Sequence, residues 1–198
     1  MIDRFTNFPV EEGFSIMPRQ GHEGFVLWFT GLSGVGKSTL AEGLSSRLNS
    51  RGRIAYVLDG DVLRTGLSQD LDFSISSRHE NIRRAGHVAK ILVDAGVIVL
   101  AAFITPFEND RTMLRALMGN QFSEIFLDCP LEICRKRDPK LLYHRAESGL
   151  IPEFTGISSP YENPANPDLR IPTHLLSVEE SLQILWDFMH EHYDIFSD

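Results

Sequence analysis

Short runs of apolar residues recur along the chain and alternate with segments whose apolar residues are spaced as on a helix. Four of these runs predict β-strands, and Val97–Phe103 is apolar throughout, as a strand that is covered on both faces should be. They are Phe25–Thr30, Ile54–Leu58, Val97–Phe103 and Phe122–Asp128. Such strands are typical of a parallel sheet.

Helical periodicity follows each of these strands. After the first strand, leucines recur every four residues, at Leu40, Leu44 and Leu48. This is the spacing of the buried face of a helix. The predicted helices are 37–51, Ser77–Ala95, Asp110–Met118, Leu131–Arg137 and a last one that begins at Ser177. The alternation predicts right-handed βαβ units and an α/β three-layer sandwich, with helices on both faces of a central parallel sheet.

Two of the helices carry a capping-box sequence at their start. Ser77 with Glu80, and Ser177 with Glu180, have the spacing at which serine and glutamate each satisfy an end amide. Behind the second box, four residues are predicted to face the core: Val178, Leu182, Leu185 and Met189.

The segment from Asp138 to Pro172 differs from the rest of the chain, since it is rich in proline and has little periodicity. A connection of this length is usually either functional or disordered. Its aromatic and basic residues favour function, and we predict a lid over about residues 137–164.

Length and charge limit what the chain can be. Its 198 residues suit one domain, which we place at 25–198 after an extension, 1–24. In that extension Phe5, Phe8 and Phe14 are candidates to dock on the body or on a second subunit. The net charge of −8 argues against nucleic-acid binding, which needs a basic surface.

Location is predicted from what the sequence lacks. No apolar stretch is long enough for a membrane span, and residues 1–24 lack the apolar core of a secretory signal. Cys129 and Cys134 have no zinc-finger partners and are interpreted as reduced thiols rather than a redox pair. We therefore predict a cytoplasmic protein that does not contact membranes.

Residues 31–38 carry the most specific motif, Gly-Leu-Ser-Gly-Val-Gly-Lys-Ser. It lies between a predicted strand and a predicted helix, where backbone amides and the helix N-terminus can surround phosphate oxygens. Lys37 is predicted to reach the β- and γ-phosphates of ATP, and Ser38 to bind Mg²⁺. The candidate ATP-binding residues are Gly31, Ser33, Gly34, Val35, Gly36, Lys37, Ser38 and Thr39.

The same motif occurs in GTPases, motor ATPases and kinases, so other features must choose among these classes. No guanine-reading Asn-Lys-x-Asp element is present, and the small size and the lid favour a small-molecule kinase. The predicted fold is that of a P-loop NTPase similar to the nucleoside monophosphate kinases.

Asp61 is the candidate general base and second Mg²⁺ ligand, because it follows a strand whose carboxyl end shares a crevice with the P-loop. The alternative is that Asp59 or Asp61 only caps a short helix. Arg64 and three residues of the next helix are candidates to bind phosphate or sulfate, although a solvated basic face is an equal alternative. These three are Arg78, Asn81 and Arg84.

Six segments closely resemble the adenylylsulfate (APS) kinase family, and the likeness extends from about Gly24 to Leu185. They are Gly31–Thr39, Asp59–Ser74, Arg78–Gly96, Phe103–Arg111, Arg137–Gly156 and Pro160–Pro164. The resemblance implies transfer of the γ-phosphoryl group of ATP to adenylyl sulfate, which gives 3′-phosphoadenylyl sulfate (PAPS) and ADP. It also implies a homodimer.

The resemblance further implies roles for individual residues. Asp61 would be the base for the ribose 3′-hydroxyl, and Phe73 and Phe154 would enclose an adenine ring, although either could also be a core residue. Arg137 is predicted to contact ATP. The groups implied to hold adenylyl sulfate are Arg64, Arg78, Asn81, Lys140 and the backbone of Ile104 and Thr105.

The chain departs from the usual family pattern at four positions. Thr105 replaces serine and keeps a hydroxyl, so a role as phosphate acceptor stays open. Leu141 replaces a glycine, which predicts a stiffer or altered turn in the lid. Ser158 stands in place of aspartate and Asp72 in place of glycine. Two rival functions stay open, a kinase for another small alcohol and a nucleotide-sensing domain without activity.

Overall fold

A computed structural model describes residues 23–193 and residue 195. Five parallel strands form one sheet in the order β2-β3-β1-β4-β5. The strands are β1 Val26–Thr30, β2 Ala55–Asp59, β3 Ile98–Ala102, β4 Phe122–Asp128 and β5 Leu169–Pro172. The predicted docking of Phe5, Phe8 and Phe14 lies outside the described residues.

Helices cover both faces of this sheet, as predicted. They are α1 Lys37–Asn49, α2 Gly60–Arg64, α3 Ile75–Asp94, α4 Glu108–Met118, α5 Leu131–Arg137, α6 Leu142–Glu147 and α7 Val178–His192. Within β1, Leu27 and Phe29 belong to the core shared with α1 and α7, whereas Val26 and Trp28 belong to the core shared with α3 and α4. The fully buried central strand thus separates two hydrophobic layers.

The start of α3 differs from the prediction. Ser74, and not Ser77, is the N-cap, and its hydroxyl accepts a hydrogen bond from the Ser77 amide. The predicted capping box at Ser77 is therefore wrong. Glu80 pairs with Arg83 and Arg84 instead, because two guanidinium groups compete for its carboxylate.

The start of α7 agrees with the prediction in one respect and differs in another. Both hydrogen bonds of the capping box between Ser177 and Glu180 are present. Val178, however, is 51% exposed, so its predicted place in the core is wrong. As the first residue of the helix it lies on the outer face, while Leu182, Leu185 and Met189 are buried.

The proline-rich connection contains regular structure that its weak periodicity did not reveal. Besides β5, it holds α6, whose first amides are capped by the Asp138 carboxylate: Tyr143 N and His144 N donate to it at 3.1 Å each. Leu141 precedes this helix with φ of +54° and ψ of +29°. The residue that stands in place of the usual glycine thus adopts a left-handed conformation, in which glycine is favoured.

We expect Leu141→Gly to stabilise the protein. A left-handed conformation costs an L-residue about 1–2 kcal/mol, and the entropy that glycine loses on folding offsets about half of that. The expected gain of about 0.5–1 kcal/mol would raise the Tm by roughly 1–4 °C. Leu150 is the matched control, because it is also an exposed leucine of the lid but has no positive φ. Its exposed fraction is 69%, against 63% for Leu141. Calorimetry should show a lower Tm for Leu150→Gly, and an equal fall for Leu141→Gly would contradict the expectation.

Candidate active site

The phosphate-binding loop lies between the end of β1 and the start of α1. Gly31 has φ of +143°, and a Cβ atom there would lie 2.6 Å from the Leu127 carbonyl oxygen. Gly36, with φ of +107°, directly precedes the helix. Two glycines are thus required by the backbone, and they bring the amides of the loop to the N-terminus of α1, where anions bind.

Lys37 folds back over this loop. Its Nζ donates to the carbonyl oxygens of Gly31 at 2.9 Å and Leu32 at 2.8 Å. Burial lowers the pKa of Lys37 to about 8, and the charges of Asp59 and Asp61 oppose this shift. The ammonium group is therefore held at the loop by two of the loop's own carbonyl groups, and the nearby carboxylates offset part of its desolvation.

The lowered pKa of Lys37 predicts a pH dependence of ATP binding. Below pH 8 the ligand-free protein already carries the proton that favours the phosphate tail, but above pH 8 it must take up a proton to bind. The Kd of a non-hydrolysable ATP analogue should be flat from pH 6.5 to 7.5 and then rise towards about tenfold per pH unit. Calorimetric titration would measure the Kd at each pH. In Lys37→Met the Kd should no longer depend on pH in this range, and an unchanged slope in that variant would mean that a group other than Lys37 titrates.

Ser38 and Asp59 lie together beside the loop. Ser38 Oγ donates to Asp59 Oδ2 at 2.7 Å, and Asp59 Oδ1 accepts from the Asp61 amide at 2.8 Å. Asp59 therefore caps α2. Helix capping by Asp59 or Asp61 was the alternative to a catalytic role, and it holds for Asp59. The pattern had predicted Ser38 with Asp61 as Mg²⁺ ligands, whereas it is Asp59 that contacts Ser38.

The Ser38–Asp59 pair fits Mg²⁺ in its chemistry. Both are oxygen ligands, and Mg²⁺ is usually bound by one or two protein oxygens while phosphates and water complete its shell. Within the part of the chain that the structure describes, no cluster of three or more His, Cys, Asp or Glu residues could hold a metal by itself. Nucleotide phosphates and water would supply the remaining ligands of an ion at this pair.

Asp61 faces the lid. Its carboxylate accepts from Lys140 Nζ at 2.5 Å, with exposed side-chain fractions of 70% and 59%. This hydrogen bond raises the pKa of Lys140. The structure thus brings the predicted base and the predicted lid lysine together at the end of β2.

Arg64 and Phe73 form one wall of the crevice. The Arg64 guanidinium lies 4.4 Å from the centre of the Phe73 ring and donates to the Asp72 carbonyl at 2.9 Å. Burial lowers the pKa of Arg64. Phe73 is 51% exposed, so its outer face is open to a planar ligand.

Arg78 and Asn81 are buried, and so the alternative of a solvated basic face does not hold for them. Arg78 donates through Nε to the Phe73 carbonyl at 2.8 Å, and through its two terminal nitrogens to the Thr155 hydroxyl and the Glu153 carbonyl. Asn81 Oδ1 is buried and has no hydrogen-bond partner within residues 23–193. Arg78 thereby ties α3 to the lid, and Asn81 keeps one polar atom available for a ligand.

Arg84 and Arg137 are occupied by protein partners. Arg84 binds the Asp70 and Glu80 carboxylates and the Leu67 carbonyl, which raises its pKa. Arg137 donates to the Thr173 carbonyl at 2.8 Å. These contacts hold the loop before Phe73 and the end of β5, and ligand contacts by either arginine remain predictions.

Phe154 differs from Phe73 in being 7% exposed. Its ring meets Tyr143 edge-on at 5.1 Å, and Tyr143 OH donates to the Ser33 carbonyl at 3.0 Å. The Phe154 amide donates to Ser158 Oγ at 2.9 Å, so Ser158 still supplies a hydrogen-bond acceptor where aspartate is usual. Phe154 therefore lies in the core beside Tyr143, and Tyr143 bonds to the P-loop, whereas Phe73 is open.

A cavity of about 570 Å³ lies between Leu32 of the P-loop and residues 156–163 of the lid. Its lining residues are Leu32, Leu131, Gly156, Ile157, Ser158, Ser159, Pro160, Tyr161 and Asn163. The buried Ser159 hydroxyl has no hydrogen-bond partner in the described chain. Residues 156–163 were predicted to be part of the lid, but no role was predicted for Ser159 or for Asn163, although Asn163 lies in the Pro160–Pro164 segment.

Thr155 and Arg111 are two further residues that the sequence pattern did not single out, and Asp59 was considered only as a helix cap. A signal for Arg111 existed, because it shares a helical face with the buried Leu114 and Met118.

No helix in residues 23–193 combines the length and apolar character that a bilayer crossing requires.

Comparison with known proteins agrees with this geometry. A family model described as adenylylsulphate kinase matches residues 23–172. The chain is 55% identical to a probable adenylyl-sulfate kinase of Halalkalibacterium halodurans over 166 residues, which are 83% of this chain and 82% of that protein. It is 53% identical to the adenylyl-sulfate kinase of Geotalea uraniireducens over 172 residues, 86% and 83% of the two chains.

Superposition on a solved structure supports the same family. The Mycobacterium tuberculosis APS kinase CysC, in complex with AMPPNP and APS, superposes with a TM-score of 0.82 at 46% identity, over 85% of this chain and 98% of that one. The fold is that of a P-loop kinase, as predicted. With the sheet order, the phosphate-binding loop and these matches taken together, the chain belongs to the adenylyl-sulfate kinase family.

Proposed function

We propose that this chain transfers the γ-phosphoryl group of ATP to the ribose 3′-hydroxyl of adenylyl sulfate, with Asp61 as general base. The observation that carries the proposal is the meeting of Lys37, Ser38, Asp59 and Asp61 at the carboxyl ends of β1 and β2, opposite Lys140 of the lid. This is where open parallel sheets bind their ligands.

In the proposed reaction the 3′-oxygen forms a bond to the γ-phosphorus while the bond from that phosphorus to the β,γ-bridging oxygen breaks. The hydroxyl proton passes to the Asp61 carboxylate. Lys37 and the loop amides hold the phosphate oxygens, so little is required of the protein beyond positioning and charge. Lys140 must leave Asp61 before the acceptor arrives, which links substrate entry to the lid.

Mg²⁺ would be held by Ser38, Asp59 and the nucleotide phosphates, a choice that the 2.7 Å contact of the two side chains favours. When bound, it would neutralise charge on the β- and γ-phosphates. Asp61 as a direct ligand remains the alternative.

A coupled ADP-release assay with a panel of acceptors tests the proposed substrate. Adenylyl sulfate should give a far higher kcat/KM than adenosine, AMP or gluconate. A better nucleoside or sugar-acid acceptor would favour the rival kinase function. Tight binding of adenylyl sulfate without any PAPS would favour a sensing domain, a possibility that the presence of Lys37, Ser38 and Asp61 opposes.

We propose in addition a homodimer in the cytoplasm. The free thiols of Cys129 and Cys134 support a reducing compartment, and burial raises the pKa of Cys134 to about 12, which makes it unreactive. Sedimentation analysis would report the oligomeric state directly.

A further inference from the structure

The loop after β3 contains a strained residue beside the crevice. Thr105 has φ of +44° and is 1% exposed. A positive φ is an outlier for a β-branched residue, and such strain persists only where the surroundings over-determine the conformation. The neighbours of Thr105 should therefore include groups that hold it.

Three side chains hold this turn. Trp28 Nε1 donates to Thr105 Oγ1 at 2.8 Å, and Arg111 Nη1 donates to the Thr105 carbonyl at 2.9 Å. Thr30 Oγ1 donates to the preceding carbonyl, that of Ile104, at 2.7 Å. The Thr105 hydroxyl is thus buried against an indole, which argues against its use as a phosphate acceptor.

The direction of the Thr105 amide follows from these contacts. The Ile104 carbonyl points towards the end of β1, where the Gly31 amide also donates to it at 3.4 Å. In a trans peptide the following N–H points the opposite way. Because β3 lies between β1 and β2, the Thr105 N–H faces the β2 side, whose end carries Asp61, and it has no partner among the described residues.

Arg111 is anchored so that it cannot itself reach a ligand. Its side chain is 1% exposed, and it contacts Glu124 of β4 at 3.0 Å and Glu108 at 2.5 Å. Glu124 is also buried, with a side chain 6% exposed. The guanidinium is therefore a rigid support between α4 and the sheet, and any effect on substrate must pass through Thr105.

We propose that Arg111 and Trp28 are positioning residues for the acceptor: they hold Thr105 in its left-handed conformation so that its backbone N–H is presented to an anionic group of adenylyl sulfate. The proposal rests on the proposed function, since it concerns the acceptor half of the same site. It predicts an effect on the acceptor and not on ATP, because the polar contacts of the two side chains are with Thr105, Glu108 and Glu124 and not with residues 31–38.

The first test is the paired variant Arg111→Met/Glu124→Gln, which avoids leaving a buried carboxylate without its partner. We expect the KM for adenylyl sulfate to rise roughly ten- to a hundredfold, the value of one hydrogen bond to a charged group, with the KM for ATP within about twofold. Arg115→Met is the matched control, because Arg115 lies on the same helix and pairs with Asp168 at 2.7 Å and Glu124 at 3.6 Å. It should leave both KM values unchanged.

The second test concerns the hydroxyl of Thr105. Trp28→Phe and Thr105→Val each remove the same hydrogen bond, so each should raise the KM for adenylyl sulfate and the double variant should be no worse than either one. Thr105→Ser should restore the wild-type value. In a Trp186→Phe background, the fluorescence of Trp28 should change with adenylyl sulfate and not with ATP alone.

Either of two results would overturn the proposal: an unchanged KM for adenylyl sulfate in the folded paired variant, or an equal rise in both KM values. Failure of the proposed function would look different, since the wild-type protein would then not phosphorylate adenylyl sulfate at all.

Discussion

Replacing Asp61 by asparagine should lower kcat by about 10²–10⁴-fold, the usual loss when a general base is removed. The amide keeps the size of the carboxylate but cannot accept the hydroxyl proton. Because the Asp61 side chain is 70% exposed, the fold and the binding of both nucleotides should be nearly unaffected. Steady-state kinetics and calorimetric binding of adenylyl sulfate would measure the two effects separately.

Asp94→Asn is the matched control for this substitution. Asp94 is also a partly exposed carboxylate paired with a lysine, Lys90, but it ends α3 away from the crevice. Its kcat should stay within about twofold of wild type. Near-normal turnover by Asp61→Asn would remove Asp61 from the mechanism.

Replacing Lys37 by methionine should lower kcat/KM by at least about 10²–10³-fold, the loss found when one preorganised donor to a developing charge is removed. The same change should not destabilise the ligand-free protein. Burial lowers the pKa of Lys37 to about 8, which means that its charged form is disfavoured in the fold, and a neutral side chain avoids that cost. Kinetics and a thermal unfolding curve on the same sample would test both parts.

Lys90→Met controls for the general effect of removing a lysine. Lys90 forms a surface ion pair within one helix, and such pairs contribute little, so activity and Tm should both stay near wild type. If Lys37→Met lowered the Tm by several degrees while Lys90→Met did not, Lys37 would be a structural residue as well as a phosphate ligand.

The parts of the site that the sequence predicts best are those built from neighbouring residues. The turn around Gly31 and Gly36 is fixed by backbone conformation, and Lys37 and Ser38 follow it along one helix. Their places could therefore be derived from the motif and its position between strand and helix. The apolar runs also predicted β1, β3 and β4, since burial on both faces leaves such a run. Edge strand β2 was predicted as well, although its Tyr56 is 51% exposed, whereas the short edge strand β5 was not predicted.

Contacts between distant segments could not be derived in this way. Arg78 looked like one member of a basic helix face, yet it is buried because Thr155 and the Glu153 carbonyl come from the lid. Ser77 had the spacing of a capping residue, but Asp72 orients Ser74 for that role. In both cases local spacing left two arrangements open, and a partner elsewhere in the chain decided between them.

The lid shows the same limit. Asp138 caps α6 and Leu141 adopts a left-handed conformation before it, so a short helix forms in a segment that has too few residues for a periodic pattern. The replacement of glycine by leucine could be noticed in the sequence, but the left-handed conformation of Leu141 could be seen only in the structure.

Transfer of ³²P from γ-labelled ATP to adenylyl sulfate is the most direct measurement of the central claim, that the P-loop holds ATP while the Asp61 carboxylate deprotonates the acceptor. Wild-type protein should place the label on the ribose 3′-oxygen, and Asp61→Asn should do so at least about 10²-fold more slowly while still binding both nucleotides. Label that appears only as inorganic phosphate, or equally fast labelling by the variant, would contradict the account.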